Sequence, residues 1–449
     1  MAVGISNILA LLGGVALFLF GMGLMGDSLK LVAGQRLELI LYRLSNTPLK
    51  GVLLGTAVTA VIQSSSATSA MVVGFVNSGM MKLSQAIGIV LGANIGTSVT
   101  GWILCLSYIS SSDALSLLSS ATITAIAAIA GILLRMLGKT SQKRHTGDIL
   151  LGFAVLMYGM NAMSGAVSPL RESEGFLRLM TMFENPILGV LIGTLITAVL
   201  QSNSASVGIL QALCVTGAVK YSAALPIIMG QNIGTCVTAL ISSIGASKNA
   251  RRAALIHLYF NIIGTVLFMA VFYAVDAVFP FAFMEDAANA AGIAVIHTTF
   301  NIIATAVLLP FSGTLEKLAT LTIRDNDTVE RIDDFQLLDE RFLSNPAFAV
   351  EQCKVVTDRM AELTREAIFD AIGLLDGGAY TPEMADRIEA LETKIDHYED
   401  KLGTYMVKLS RAKLSQKDGH TLSLLLTVSS AASVTLRMLR YCIGEMPAP

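Results

Sequence analysis

The sequence predicts an all-α integral membrane protein: two inverted repeats, each of three spans plus a re-entrant helical hairpin, one extra span, then a cytoplasmic helical bundle. Three observations carry this expectation. First, residues 51–103 and 189–241 align without a gap at an offset of 138, with 25 identities in 53 positions. Many of the identities are polar: Gln63/Gln201, Ser64/Ser202, Ser66/Ser204, Asn94/Asn232, Thr97/Thr235 and Thr100/Thr238. Second, 53% of the residues are hydrophobic and only 14% charged, against roughly 25% charged in an average soluble domain. Third, the charges are unevenly divided. Residues 1–312 hold 15 Lys/Arg and 10 Asp/Glu, a net +5, whereas residues 313–449 hold 16 and 23, a net −7. A membrane part is therefore followed by a water-soluble part, and the acidic tail argues against a nucleic-acid partner.

Taken in order, runs long enough to cross a bilayer, about 20 apolar residues, lie near 6–26, 84–105, 113–137, 147–168, 222–244, 251–275 and 288–312. The first run, Ile5–Gly26, has no basic residue before it and no small-x-small cleavage site, so it reads as a retained helix. The two Gln-Ser segments differ from these runs. Residues 51–62 and 67–79, like 189–200 and 205–217, are 12 or 13 residues long. As helices they reach about 18–20 Å at 1.5 Å per residue, short of a hydrocarbon core of roughly 30 Å. Two short helices joined by a polar turn form a hairpin whose tip stops near the midplane. The predicted units are residues 1–137 (repeat 1, hairpin 51–79), 138–275 (repeat 2, hairpin 189–217), the extra span 288–312, a linker 313–345 and a three-helix domain 346–449.

Loop charge sets the orientation. Lys139, Lys143 and Arg144 in one loop and Lys248, Arg251 and Arg252 in another are basic, while the loop after 275 carries Asp276, Glu285 and Asp286. With basic loops inside, the segment holding Lys30, Arg36, Arg43 and Lys50 is also internal and the C-terminal tail is cytoplasmic. Three true spans per repeat is an odd number, so the second copy is inverted and the two hairpins enter from opposite sides.

That geometry predicts a chemistry. Polar groups at membrane depth cost several kcal/mol unless partnered, so a duplicated polar cluster there points to a two-half transport site. Ser66 and Ser204 are expected to cap the second helix of each hairpin. The free N–H groups of those helix starts, each end carrying about half a positive charge, make an anion site. Two ends supply roughly +1, short of the charge of about −1.5 to −2 on a phosphate. No Lys or Arg stands near either tip in sequence, so co-bound cations are expected to make up the difference. Carbonyls ending the preceding half-helix and the amide oxygens of Gln63 and Gln201 suit Na⁺. The Gly92–Thr97 and Gly230–Thr235 stretches are expected to unwind at the same depth, adding oxygens of Asn94, Thr97, Asn232 and Thr235.

Blander readings stand beside these. Gly88, Gly92 and Gly96 are four apart, which also suits close helix packing. Lys82 and Lys220 match between the repeats and read as snorkelling anchors. His257-x-x-Phe-Asn261 and His297-x-x-Phe-Asn301 read first as helix-bridging pairs. Five cysteines without a CxxC pair give neither a disulfide framework nor a zinc signature, and Cys105, Cys214 and Cys236 in apolar runs read as small core residues. The sequence holds no nucleophile elbow, P-loop or metalloprotease motif, so no enzyme is expected.

QSSSATS, QSNSAS, GANIGTS and GQNIGT resemble the paired signatures of the type II sodium–phosphate cotransporters, and the resemblance covers most of residues 6–310. It implies that Gln63, Ser64, Ser65 and Ser66 with Gln201, Ser202, Asn203 and Ser204 line phosphate and sodium sites, with Na⁺ as coupling ion and no organic cofactor. Asn203 stands where the first copy has Ser65. The implied activity is sodium-coupled phosphate transport across a bacterial inner membrane, by an elevator or rocking motion around the hairpins. A symporter for another oxyanion or a dicarboxylate, a phosphate exporter, and a sensor acting through the tail remain alternatives.

The tail resembles the PhoU-type helical domain that follows many bacterial members. Pro346 sits at a favoured first-turn position of a helix running to about Leu375, which stops at Asp376-Gly377-Gly378. A second helix, capped by Thr381, keeps the apolar stripe Ile388, Leu391, Ile395, Tyr398, Leu402, Met406 and Leu409. A third spans about 421–443. Glu392, Asp396 and Asp400 at i, i+4, i+8 resemble a metal-binding pattern of that domain. A homodimer contact or a regulatory partner is open to this domain.

Overall fold

The computed structural model describes all residues except 1–4, 34–46, 78–80, 109–118, 245, 325–333, 345, 376–381, 413, 415 and 445–449. Arg36, Glu38, Arg43, Asp376, Gly377, Gly378 and Thr381 lie outside the described residues. Among those described there is no strand, only an isolated bridge between Lys220 and Ala287. The chain divides into two compact units, Met1–Thr328 and Val329–Pro449.

In the first unit the helices are α1 (Ile5–Ala33), α2 (Pro48–Ile62), α3 (Ser65–Asn77), α4 (Leu83–Cys105), α5 (Ser120–Leu137), α6 (Ser141–Val167), α7 (Glu174–Met182), α8 (Pro186–Leu200), α9 (Asn203–Cys214), α10 (Tyr221–Ser242), α11 (Lys248–Val278), α12 (Ala290–Leu308) and α13 (Ser312–Thr322). Seven of the described helices are long and apolar enough to cross a membrane, matching the seven expected runs. Their outward faces carry Leu9, Phe20, Ile129, Leu137, Val271 and Val307 in the open. A face of that kind is stable only against lipid, so the protein is an all-α, multi-pass membrane protein.

Both short pairs form. Proline at the first helical position starts α2 and α8, after the caps Thr47 and Asn185. At 15 residues each, α2 and α8 reach only about 22 Å. The chain reverses through Gln63 (φ 59°) and Gln201 (φ 52°), which are the non-glycine residues with positive φ among those described. A glutamine in this left-handed region is strained, and the same strain occurs at both tips.

The glycine runs do not unwind. Gly92–Thr97 lies within unbroken α4 and Gly230–Thr235 within unbroken α10. The glycines instead let the short helices sit backbone to backbone on these spans. A Cβ on Gly92 would collide with the carbonyl oxygen of Val52, and one on Gly230 with that of Val190. Thr56 Oγ1 donates to Val52 O at 2.8 Å and to Gly92 O at 3.1 Å, and Thr194 Oγ1 repeats both distances with Val190 O and Gly230 O. The two halves also cross over. Helix α3 packs on α10 and α11, while α9 packs on α4 and α12. Helices α1 and α6 lie along each other through a cluster centred on Phe18, Leu156, Met157 and Met160.

Three further features differ from expectation. The chain bends by 105° between α7 and α8, so a short helix with no counterpart in the sequence reading turns sharply into the second hairpin. Lys220 has partners the sequence did not indicate: its Nζ lies 2.7 Å from Glu285 and 3.6 Å from Glu184, tying the exit of the second hairpin to two neighbouring loops. The segment after residue 312 begins with helix α13, whose end accepts from Arg252 through Ile323 O at 3.0 and 2.6 Å.

The second unit is a bundle of α14 (Pro346–Leu375), α15 (Pro382–Leu409) and α16 (Gln416–Gly444). Helix α16 starts at Gln416, a turn earlier than the expected residue 421. Ile388, Ile395, Tyr398, Leu402, Met406 and Leu409 of the expected stripe are buried. Short 3-10 turns at Asp334–Leu338 and Glu340–Ser344 dock on the bundle, Tyr405 donating to Asp339 O at 2.9 Å. Glu392, Asp396 and Asp400 do not converge on a point. Asp396 accepts from Ser433 at 2.8 Å and from Arg437 at 3.2 Å, and no trio of metal-ligating side chains is gathered among the described residues. At i, i+4, i+8 on one helix, successive carboxylates are spread about 6 Å apart along the axis.

Gly92→Val and Gly230→Val force a side chain into backbone carbonyls. Each should abolish the monodisperse, folded protein in detergent, since overpacking of a rigid contact costs at least about 1–3 kcal/mol. Gly13→Ala, which meets nothing within 4 Å, should leave the elution profile unchanged.

Candidate functional site

The two hairpin tips meet. A cavity of about 230 Å³ is lined by Gln63, Ser64, Ser65 and Ser66 from one tip, Gln201, Ser202, Asn203 and Ser204 from the other, and a face of α1. Eight of the twelve residues expected at the site therefore share one space. The other four, Asn94, Thr97, Asn232 and Thr235, are buried behind it on α4 and α10. Asn94, Thr97 and Thr235 turn back to carbonyls of their own helices at 2.9, 2.9 and 3.0 Å. That local bonding follows from the unbroken helix: with no unwound backbone, short polar side chains find the i−4 carbonyl first.

The helix starts fall earlier than the sequence suggested. The caps are Ser64 and Ser202, whose Oγ atoms accept from Ala67 N and Ala205 N, both at 3.2 Å. Ser66 and Ser204 sit inside the first turn. The capping serine takes one of the free N–H groups, and the N–H groups of Ser65, Ser66, Asn203 and Ser204 are the ones a helix start leaves over. Hydroxyls and amides of both tips thus stand together at two helix N-termini, which carry partial positive charge.

The tips are held differently. Gln63 is buried, donates from its Nε2 to Ala60 O and accepts from Thr100 Oγ1 at 2.9 Å. Gln201 is exposed. Ser66 Oγ lies 3.2 Å from Thr238 Oγ1 on α10, so the first tip is pinned by the second repeat's span. Asn203 Nδ2 is 3.4 Å from Asn232 Oδ1, while its own Oδ1, buried at the cavity edge, has no hydrogen-bond partner. The two His-x-x-Phe-Asn segments bridge helices: Asn301 Nδ2 reaches Ser98 Oγ at 3.1 Å and Asn261 Nδ2 reaches Cys236 Sγ at 3.2 Å.

Asp27 and Lys30 on α1 also line the cavity, 3.7 Å apart. A cation therefore does stand at the tips, contrary to the sequence expectation. The signal was present as two opposite charges three apart near the end of the first span, but sequence distance from the hairpins concealed it. Because Asp27 offsets Lys30, the pair adds little net charge, and the shortfall for a divalent anion persists.

A cavity between paired half-length helices in a multi-pass membrane protein is the arrangement in which transporters hold their substrates. A family model described as Na⁺/Pi-cotransporter matches the chain twice, over residues 17–165 and 156–308, and the chain belongs to that family. Over 437 residues it is 23% identical to a protein of Escherichia coli (strain K12) provisionally named an inorganic phosphate export protein, YjbB, covering 96% of this chain and 77% of the relative. It is 27% identical over 254 residues to the uncharacterized protein YqeW of Bacillus subtilis, covering 56% of this chain and 78% of that one. It is 35% identical over 105 residues to the human sodium-dependent phosphate transport protein 2B, covering 23% of this chain and 15% of the relative. No solved structure matches the chain.

Ser64→Ala and Ser202→Ala remove a cap each. Thermal unfolding in detergent should show a loss of about 1 kcal/mol per site, whereas Ser66→Ala and Ser204→Ala should lose less, as neither hydroxyl caps a helix.

Proposed function

We propose that this protein carries inorganic phosphate across a bacterial inner membrane coupled to Na⁺, with the anion held between the two hairpin tips. The single observation behind this reading is the shared cavity in which both Gln-Ser turns present their helix starts. Ser65, Ser66, Asn203 and Ser204 supply backbone N–H groups, with the Ser66 and Ser204 hydroxyls donating to the anion. Gln63, Gln201 and the last-turn carbonyls of α2 and α8 supply oxygens for Na⁺. Asn232 acts from behind, holding Asn203 of the second tip, while Asn94, Thr97 and Thr235 stay bonded within their own helices. Helix ends worth roughly +1 cannot balance a phosphate of about −1.5 to −2, and co-bound Na⁺ supplies the missing charge.

In this reading the repeats, residues 1–137 and 138–275, are inverted relative to one another. The hairpins enter from opposite faces and residues 288–312 return the chain to the cytoplasm, where residues 346–449 form a PhoU-like regulatory domain. The basic loops around Lys139 and Arg251 and the acidic loop from Asp276 to Asp286 support that orientation. One observation favours a second direction of transport: the relative matching 96% of the chain carries the name of a phosphate export protein. The same cavity serves export when the ion gradients require it.

Labelled-phosphate flux in proteoliposomes with imposed Na⁺ gradients tests the proposal. Flux should follow the Na⁺ gradient and resist excess sulfate and succinate; indifference to both Na⁺ and H⁺ gradients ends the coupling argument. Ser66→Ala and Ser204→Ala should each raise the half-saturating phosphate concentration roughly tenfold, the effect of one lost hydrogen bond to a charged group. Unchanged values in both variants would return these serines to packing. Lys30→Met should raise it by only about threefold, as expected of a partly exposed cation already offset by a neighbour.

A further inference from the structure

Behind the second tip a hydrogen-bond chain runs from α12 into the cavity. His297, 1% exposed, has its Nε2 3.1 Å from Asn232 Oδ1. Asn232 Nδ2 donates to Ile228 O at 3.0 Å, which fixes the amide so that Oδ1 faces His297. An amide oxygen only accepts, so His297 donates from Nε2, and its Nδ1 has no partner. The same Oδ1 accepts from Asn203 Nδ2 at 3.4 Å. With its nitrogen so engaged, Asn203 directs the other end of its amide away from the chain. That end is Oδ1, a buried carbonyl oxygen without a partner on a residue that lines the cavity.

The first half lacks this chain. The two His-x-x-Phe-Asn segments are exchanged by the same relation that exchanges the repeats: Asn301 bonds Ser98 and Asn261 bonds Cys236, and 98 and 236 are repeat partners. The counterpart of the His297–Asn232 bond would join His257 to Asn94. Yet both ring nitrogens of His257 have no partner, and Asn94 donates to Val90 O. At the tip itself Ser65, with no amide to orient, stands where Asn203 does. An orphaned, oriented amide oxygen is a ligand for a hard cation. The turn of the first half offers hydroxyls instead.

We propose that His297 is a positioning residue that, through Asn232, aims Asn203 Oδ1 at a sodium ion, adding to the second hairpin a cation ligand that has no counterpart at Ser65. The inference rests on the reading of this cavity as a Na⁺ and phosphate site, and deepens it by naming a side chain that holds the cation and the residue that positions it.

The test uses the full chain, with two readouts: Na⁺ dependence of phosphate flux in proteoliposomes, and the Na⁺-induced rise in unfolding temperature in detergent without phosphate. His297→Ala should raise the half-saturating Na⁺ about tenfold, as one lost positioning bond does, and blunt the thermal response. The phosphate requirement at saturating Na⁺ should stay within about twofold. His297→Gln, whose amide nitrogen can occupy the Nε2 position, should restore the Na⁺ response. Asn203→Ser should reproduce the Ala defect, and the double variant should add nothing further. His257→Ala should leave the Na⁺ response as in the parent. A folded His297→Ala protein with the parent's Na⁺ response overturns the proposal, as does a Gln variant no better than Ala. Should His297→Ala fail to fold, an unchanged Na⁺ response in Asn203→Ser overturns it alone. If the parent protein ignores Na⁺ in both readouts, the coupling reading and this inference fall together; a Na⁺-responsive parent with unaffected variants sinks only the relay.

Discussion

A helix that ends in the middle of a bilayer leaves its terminal carbonyls and amides where no water can reach them, and it persists only if protein surrounds it. Here α2 is pressed against α4 and α8 against α10 along their glycines, with carbonyl oxygens of Val52 and Val190 filling the space a side chain would take. Thr56 and Thr194 stitch the same contacts with matching distances. Everything at the site follows from it. The clamp fixes where each short helix stops, the stop fixes where the chain must reverse, and the reversal places the Ser-rich starts of α3 and α9 in one cavity.

The reversal itself carries strain. Gln63 and Gln201 both take the left-handed conformation, at a cost on the order of 1–3 kcal/mol per residue. A glycine would adopt it freely. The glutamine brings an amide to the tip, and in the first half that amide is already used, bonding Ala60 O and Thr100. Backbone strain is thus retained at the place where a polar side chain is needed, and the surrounding clamp supplies the stability that tolerates it.

Duplication is closer in the scaffold than in the chemistry. The glycine contacts, threonine stitches and left-handed turns agree between halves almost atom for atom. The side chains at and behind the cavity do not: Gln63 is buried and Gln201 exposed, Ser65 in one copy is Asn203 in the other, and His297 is bonded where His257 is not. A near-symmetric frame with unlike contents suits the proposed binding of ligands of opposite charge.

Much of the membrane architecture was legible without coordinates, because hydrophobic length and an ungapped polar repeat are local properties. The seven spans, the two half-length hairpins and the eight tip residues follow from run length and from the cost of polar groups in lipid. The Gly-x-Asn-Ile-Gly-Thr runs were misjudged as unwound because glycine serves both broken helices and close packing, and only the neighbour's carbonyl decides between them. Lys30 and Asp27 escaped notice because α1 reaches the tips through tertiary packing, not sequence proximity. In the tail, the acidic i, i+4, i+8 series was plain, yet whether Asp396 would meet a metal or Arg437 depended on the partner helix. What the sequence alone determined is where the chain must be helical and which polar residues lie at depth, since those depend on each residue and its near neighbours. Which of those residues share a cavity, and which half holds the oriented Asn203 oxygen, was decided only when helices distant in sequence packed against one another.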